Sequence, residues 1–395
     1  MPRARCAIAV ALALPLLAAV PARAANDHAN SRAVCPSPAF AAARCHARVV
    51  TDARGNPLAT TAPTGYGPAQ FHGAYALPTT AGSLQTVAIV DAYDDPTAAG
   101  DLATYSSTYG IPGLPACASP TSQTACFVKV NQSGGTGSYP RKDPGWALEI
   151  ALDVETAHAI CQNCKVILEE ANSNLFSDLA AAEDTAARLG ATVISNSYGG
   201  GEFSAETSSS YDGHFNHPGA AITVSSGDSG YGVEYPAASR YVTAVGGTTL
   251  RLTSSNTRSS ETAWSGSGSG CSAYEPKPSW QKDTGCSRRT VADVAADADP
   301  ATGAAVYDTT KYQGQSGWFR VGGTSLAAPL VAGVYALAGN GGSVTYGSYP
   351  YAHTGSLFDV VSGSNGSCSV AYLCTARAGF DGPTGLGAPI GTGAF

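Results

Sequence analysis

From residue 86 onward, short apolar runs alternate with longer helix-like stretches, and no other feature of the chain limits its possible folds as much. TVAIV at 86–90 is a short β-branched strand. It is followed by Asp91-Ala92-Tyr93-Asp94-Asp95-Pro96 and a helix-like stretch to Tyr109. Residues 146–160 and 175–189 read as helices, 165–168, 192–195 and 221–225 as short strands, and 325–338 as an apolar helix. Strands that are apolar on both faces and separated by helices belong to a parallel sheet covered on both sides. The expected class is α/β, with a mostly parallel central sheet and helices on both faces. Residues 25–60 are weakly patterned and the pattern changes after Tyr66-Gly67-Pro68, so 25–62 reads as an N-terminal extension and 63–395 as the main domain. Residues 251–320, rich in Gly and Ser, read as long loops over the scaffold.

Residues 1–24 give the compartment. Arg3 and Arg5 make a positive start, 7–20 is an apolar run, and Ala22-Arg23-Ala24 ends it as A-x-A. That pattern is a secretory signal peptide, too short for a membrane anchor. Cys6 leaves with it, so ten of the eleven Cys remain in an exported chain, where disulfides are the natural reading. The Cys fall in local pairs: 35/45, 117/126, 161/164, 271/286 and 368/374. A secreted, extracellular, monomeric protein is expected, with no membrane partner. A net charge of -7 and no basic stripe exclude nucleic acid as a partner. Only 13% of residues are charged, while 44% are apolar, which excludes disorder.

Four motifs carry candidate chemistry. Gly323-Thr324-Ser325-Leu326-Ala327-Ala328-Pro329 puts a Ser where a Gly-rich loop meets an apolar helix. From G-T-S alone, Ser325 reads better as a helix cap, and the small residues that follow it sharpen the match to a nucleophile motif. Glu149 and Asp153 lie at i and i+4 in an otherwise apolar helix, so both carboxyls share one face and repel unless they share a proton. Ser225-Ser226-Gly227-Asp228-Ser229-Gly230 follows a buried strand and taken alone is an Asp-Ser-Gly turn. Ser195-Asn196-Ser197-Tyr198-Gly199-Gly200 ends another strand, with backbone free to pair an extended peptide. No H-G-T-H-type helix start is present, and of the seven His only His158 lies on a plausible core helix.

As an ordered set these motifs, with Glu261-Thr262-Ala263-Trp264, Pro278-Ser279-Trp280-Gln281 and the D-x-x-A-x-A-D-P stretch at 293–300, resemble the sedolisin (serine-carboxyl peptidase) family. The resemblance covers residues 66–395 and implies a subtilisin-like fold. It also implies hydrolysis of protein or peptide substrates in acid. By it Ser325 is the nucleophile, Glu149 the general base, Asp153 the acid that orients it, and Asp228 an oxyanion donor that acts only when protonated.

The same resemblance implies a Ca²⁺ site in the C-terminal segment. Its ligands are the side chains of Asp359 and Asp381 with the carbonyls of Val360, Arg377 and Gly379, a hard-oxygen set suited to calcium. The chain departs from the family in two respects. Only residues 25–62 can stand in for the family's large prodomain, and the ten Cys exceed expectation. The Asp-rich turn at Asp91, Asp94 and Asp95 reads as a relic of the subtilisin Asp or as a second cation site. Two rivals remain: an Asp–His–Ser subtilase using Asp91, His158 and Ser325, and a catalytically silent secreted binding protein on the same fold.

Overall fold

The computed structural model describes Met1 and residues 30–395; the signal-peptide reading at 1–24 lies outside the described residues. The first elements are short strands: β1 (Ser31–Ala33), β2 (Arg44–Cys45), β3 (Arg48–Val50) and β4 (Ala59–Thr60). Helix α1 (Pro68–Tyr75) leads into the alternating region: β5 (Thr86–Ala92), α2 (Ala98–Tyr109), β6 (Phe127–Asn131), α3 (Pro144–Ile160), β7 (Lys165–Ala171), α4 (Phe176–Arg188), β8 (Val193–Asn196), β9 (Tyr198–Gly201) and β10 (Ala221–Ser225). There follow β11 (Glu234–Tyr235), β12 (Thr243–Leu252), β13 (Arg258–Ala263), β14 (Gly270–Pro276), β15 (Arg288–Val291), β16 (Val294–Asp297), β17 (Ala304–Tyr312), β18 (Gln315–Gly322) and helix α5 (Thr324–Ala338).

The central sheet runs β13-β12-β10-β8-β5-β7-β6, with β16 also on β12. All of its pairs are parallel except β12 with β13. Every residue of β5 and β7 is buried, as strands covered on both faces require. Helices lie on both faces of the sheet, and the α/β, subtilisin-like expectation holds.

Two helices set up the site. In α3 every residue from Gly145 to Ile160 is buried. The Asp143 side chain caps its start by accepting from the amides of Gly145 (2.9 Å) and Trp146 (3.1 Å), and Pro144 fills the first helical position. Helix α5 is buried from Thr324 to Leu337, and its small residues let it lie close on α3: Gly333 packs directly on Ile160.

Residues 251–320 differ from the expectation of long loops. They carry β13–β17 and most of β18: β16 is a fully buried parallel strand on β12, and the others are antiparallel strands in which Gly, Ser, Thr and Arg hide the apolar alternation. Residues 30–60 are likewise structured: β3 and β4 both pair with β18, and β2 pairs with β9. All five local Cys pairs are disulfides.

Candidate active site

Strand β18 ends at Gly322, and Gly323 then turns the chain into α5 with φ +99°. Only Gly fits there. A Cβ would lie 1.8 Å from the carbonyl oxygen of His46 and 2.6 Å from Oδ2 of Asp228. Asp228 fixes the start of α5: its Oδ1 accepts from the Thr324 amide (2.8 Å) and the Thr324 hydroxyl (2.9 Å). Its Oδ2 is buried without a partner. Ser325 is fully buried and its hydroxyl donates to the Ser197 carbonyl at 3.2 Å.

Glu149 and Asp153 are fully buried one helical turn apart on α3. Oε2 of Glu149 accepts from the Ala47 amide at 2.9 Å, and Oε1 has no partner of good geometry. Burial, then the Asp153 charge, pushes the Glu149 carboxyl well above the ordinary range, against the pull of the nearby Ser325 hydroxyl and the Ala47 amide. Asp153 is raised by burial and then by Asp91, and Ser197 and Glu149 oppose the rise. Asp91, at the end of β5, is raised by burial, then by Glu149 and Glu170. Burial also raises Asp228, with His46 pulling the other way. Acids so placed cannot all be ionised at once, so burial favours protonated carboxyls here.

His158 sits elsewhere. Its Nε2 meets the Pro112 carbonyl at 2.8 Å, and burial drives its pKa down to about 4. Asp91 belongs with the acids of α3, and Asp94 is paired with Lys129.

The N-terminal segment also contributes to the site, and no sequence motif marks it. Strand β2 pairs antiparallel with the backbone of the Ser195–Gly200 motif, Arg44 opposite Gly199 and Cys45 opposite Tyr198. The His46 amide donates to the Ser197 carbonyl at 3.1 Å, and β3 pairs with the end of β18, Arg48 opposite Gly322. The His46 ring contacts Ser225 Oγ through Nδ1 (2.7 Å) and Glu234 Oε2 through Nε2 (2.9 Å). No local pattern marks these residues, because the contacts join backbone and side chains far apart in sequence.

In the C-terminal segment Asp381 is buried. Its Oδ2 accepts from the Arg377 amide (3.0 Å), and its Oδ1 accepts from the Thr384 amide and hydroxyl (2.9 Å each). The Gly379 amide donates to Asp359 Oδ2 at 2.8 Å, and Val360 is buried beside them. Burial chiefly, with a small addition from Asp359, pushes Asp381 up to about 7. The buried Asp381 beside the exposed Asp359 in a Gly-rich loop is a donor set that suits a hard cation. A second set, Asp95, Asp101 and Asp308, is buried with ligand oxygens within 4.8 Å of one another, and could hold a divalent cation.

Sheet order, buried helices and a serine at the start of α5 near buried carboxyls define a subtilisin-like fold. The family model described as the subtilase family matches residues 147–342. Kumamolisin of Bacillus sp. (strain MN-32) is 32% identical over 377 residues, covering 84% of this chain and 63% of that protein. Sedolisin of Pseudomonas sp. (strain 101) is 37% identical over 203 residues, covering 43% and 33%. The chain thus spans less than two thirds of the length of these curated relatives. The solved structure of Pseudomonas sedolisin, a serine-carboxyl proteinase complexed with two molecules of pseudo-iodotyrostatin, superposes with a TM-score of 0.68 at 29% identity, over 83% of this chain and 96% of that one. An S41 psychrophilic protease (TM-score 0.52, 18% identity, 84% and 99% covered) shares the fold. The chain is thus similar in sequence to sedolisins and shares their subtilisin-like fold.

Proposed function

We propose that this chain is a secreted serine-carboxyl peptidase that hydrolyses peptide bonds of proteins in acid. One observation carries the reading: Ser325, Glu149 and Asp153 form a buried row, with the free oxygen of Asp228 close to the start of the serine helix. Glu149 takes the Ser325 proton as Oγ attacks the scissile carbonyl, and Asp153, backed by Asp91, shares the charge that Glu149 would otherwise hold alone. Asp228, protonated on Oδ2, donates to the oxyanion. The Ser325 amide, in the first turn of α5 where helix amides lack internal acceptors, is available to donate to the same charge. Glu149 then returns its proton to the leaving amine.

The reading extends to calcium, with Asp359, Asp381 and the carbonyls of Val360, Arg377 and Gly379 as its ligands. There the ion would neutralise the buried Asp381 and the exposed Asp359 and fix the C-terminal loops, with no part in the chemistry. Export is supported by the leader pattern at 1–24 and the five disulfides. No helix among the described residues is long and apolar enough to cross a membrane. The test is hydrolysis of a mixed peptide library from acid to neutral pH by wild type and Ser325→Ala. Acid hydrolysis that disappears in the variant is expected. A wild type inert at every pH would leave the silent binding protein as the better reading.

A further inference from the structure

Four acids meet where the turn after β5 comes together with α2, α3 and β17. Asp95 comes from the turn, Asp101 from the first turn of α2, Asp308 from β17 and Glu155 from α3. In that order they are 0, 3, 0 and 2% exposed. Glu155 lies two residues beyond Asp153, about 200° around the helix, so the cluster is on the other side of α3 from the row that ends at Ser325. Of the Asp-rich turn at Asp91, Asp94 and Asp95, only Asp95 enters it. Carboxylate oxygens of the three aspartates lie within 4.8 Å of one another. Oxygens on opposite sides of one Ca²⁺ stand about 4.6–5.2 Å apart, since each bond is about 2.3–2.6 Å long.

The protein's own donors do not satisfy these oxygens. One amide serves each acid: Thr97 donates to Asp95 Oδ1 (3.0 Å), Thr309 to Asp101 Oδ2 (2.9 Å), Thr310 to Asp308 Oδ1 (2.7 Å) and Tyr307 to Glu155 Oε2 (2.9 Å). The Thr97 hydroxyl has one proton, yet it stands within reach of Asp95 Oδ1 (3.0 Å), Asp101 Oδ2 (2.6 Å) and Thr310 Oγ1 (3.0 Å). Asp95 Oδ2, Asp308 Oδ2 and Glu155 Oε1 are buried with no partner. Lys129, beside the same turn, is engaged by Asp94, Glu170 and the Asp95 carbonyl. The charges that act on Asp95, Asp308 and Glu155 are those of Asp101 and of one another, all negative. Burial first, and these neighbours after it, raise Asp95 to about 6, Asp308 to about 8 and Glu155 well above the ordinary range. Thr309 is exposed and Thr97 half-buried, so a small ion has a short way in.

We propose that Asp95, Asp101 and Asp308 bind one Ca²⁺ ion, at a site separate from the C-terminal loop, and that Glu155 backs it from α3. Three carboxylates leave room for water, from the Thr309 side, in a shell of about six to eight oxygens. The ion supplies the positive charge that the cluster lacks and ties α2 and β17 together against α3. Strand β17 runs antiparallel to β18, with Asp308 opposite Gly317, and β18 ends at Gly322 just before Ser325. Helix α3 carries Glu149 and Asp153. The ion therefore holds the hairpin that delivers the serine against the helix that delivers its acids, and touches no reacting atom.

The experiment uses the full chain carrying Ser325→Ala as the parent, stripped of metal and returned to neutral buffer. Bound calcium per chain is measured by equilibrium dialysis, and Tm with and without calcium. Asp308→Asn is expected to bind one ion fewer than the parent. The same difference of one is expected when both also carry Asp381→Ala, which sets the C-terminal loop aside. The order of stabilities should invert as well. Without calcium, Asp308→Asn should melt at or above the parent, because it removes one of the repelling carboxyls and its amide can donate to the others. With calcium, the parent should melt above Asp308→Asn. An aspartate that only packs, or only shares protons with its neighbours, predicts one order in both buffers. If Asp308→Asn does not fold, Asp95→Asn decides by the same two readouts. An unchanged calcium count, or an order of Tm that calcium does not alter, would overturn the site. Neither readout needs catalysis, so the peptidase reading stands or falls separately.

Discussion

Asp228 holds Thr324 with one carboxyl oxygen and leaves the other buried and unpaired beside Gly323. Since Oδ1 already accepts two hydrogen bonds, a proton on this acid belongs on Oδ2, where it can donate. Activity then requires Asp228 to keep its proton while Glu149 gives one up, and burial raises both groups. Activity is expected in acid and should fall as rising pH strips the last protons from the cluster. Asp228→Asn keeps a donor at every pH, so the alkaline limb should move upward. Asp228→Ala should lose on the order of 10²–10³ in kcat. A profile tracking one histidine titration and peaking near neutrality would refute the scheme.

Stability should also fall with rising pH. Burial pushes Glu169, Glu170 and Glu206 up to about 9, and Glu183 and Glu275 up to about 8. Unfolded, such groups release their protons near pH ~4.3. Between those values the folded chain holds more protons, so stability is complete below about pH 4 and declines as pH climbs toward 8 or 9. Tm measured over this range should drop steadily. Each group contributes up to about 1.4 kcal/mol per pH unit, so Glu183→Gln should flatten the slope. A Tm that climbs over the range would contradict the assignment.

Chelation of calcium should lower Tm, by an amount that grows with the free calcium removed: about 2.7 kcal/mol is at stake at a hundred times Kd. Asp381→Ala should lose the part of this response that comes from the C-terminal loop. Because protons compete for Asp381, whose carboxyl is raised to about 7, the calcium effect should weaken as pH falls. An unchanged Tm at neutral pH would remove the Asp359/Asp381 site.

Asp143→Ala removes the acceptor for two amides at the start of α3 and should cost about 1 kcal/mol, within a range of about 0.5–2. Urea unfolding measures it. The pH profile of catalysis should not move, since Asp143 touches none of the acids of the site. A large kcat loss at unchanged stability would mean that the cap also sets the angle of Glu149.

Elements between 86 and 225 were legible because strands buried on both faces carry unbroken apolar runs, and because helices of 12 to 17 residues separate them. Each element read from the pattern appeared within a few residues of its place, whereas β6 and β9 were not read as strands. Glu149 and Asp153 stood out because charge is rare in so apolar a helix. Strands β13–β15, β17 and β18 were lost because antiparallel strands with one wet face tolerate Gly, Ser and Arg, and β16 because four buried residues are too short a run to stand out. The approach of Ala47 to Glu149 was not legible at all: a backbone amide has no letter of its own. His46 was passed over because its partner, Glu234, is 188 residues away.

The burial of α3 on every face makes it a ruler. Asp143 and Pro144 fix one end, and the short loop closed by Cys161 and Cys164 fixes the other. One residue added or removed between Pro144 and Glu149 would turn both acids by about 100° relative to that fixed start. No solvent-facing side exists to absorb the error. Insertions and deletions should therefore accumulate in the exposed turns of the chain and be absent from these six positions, even where individual residues vary freely.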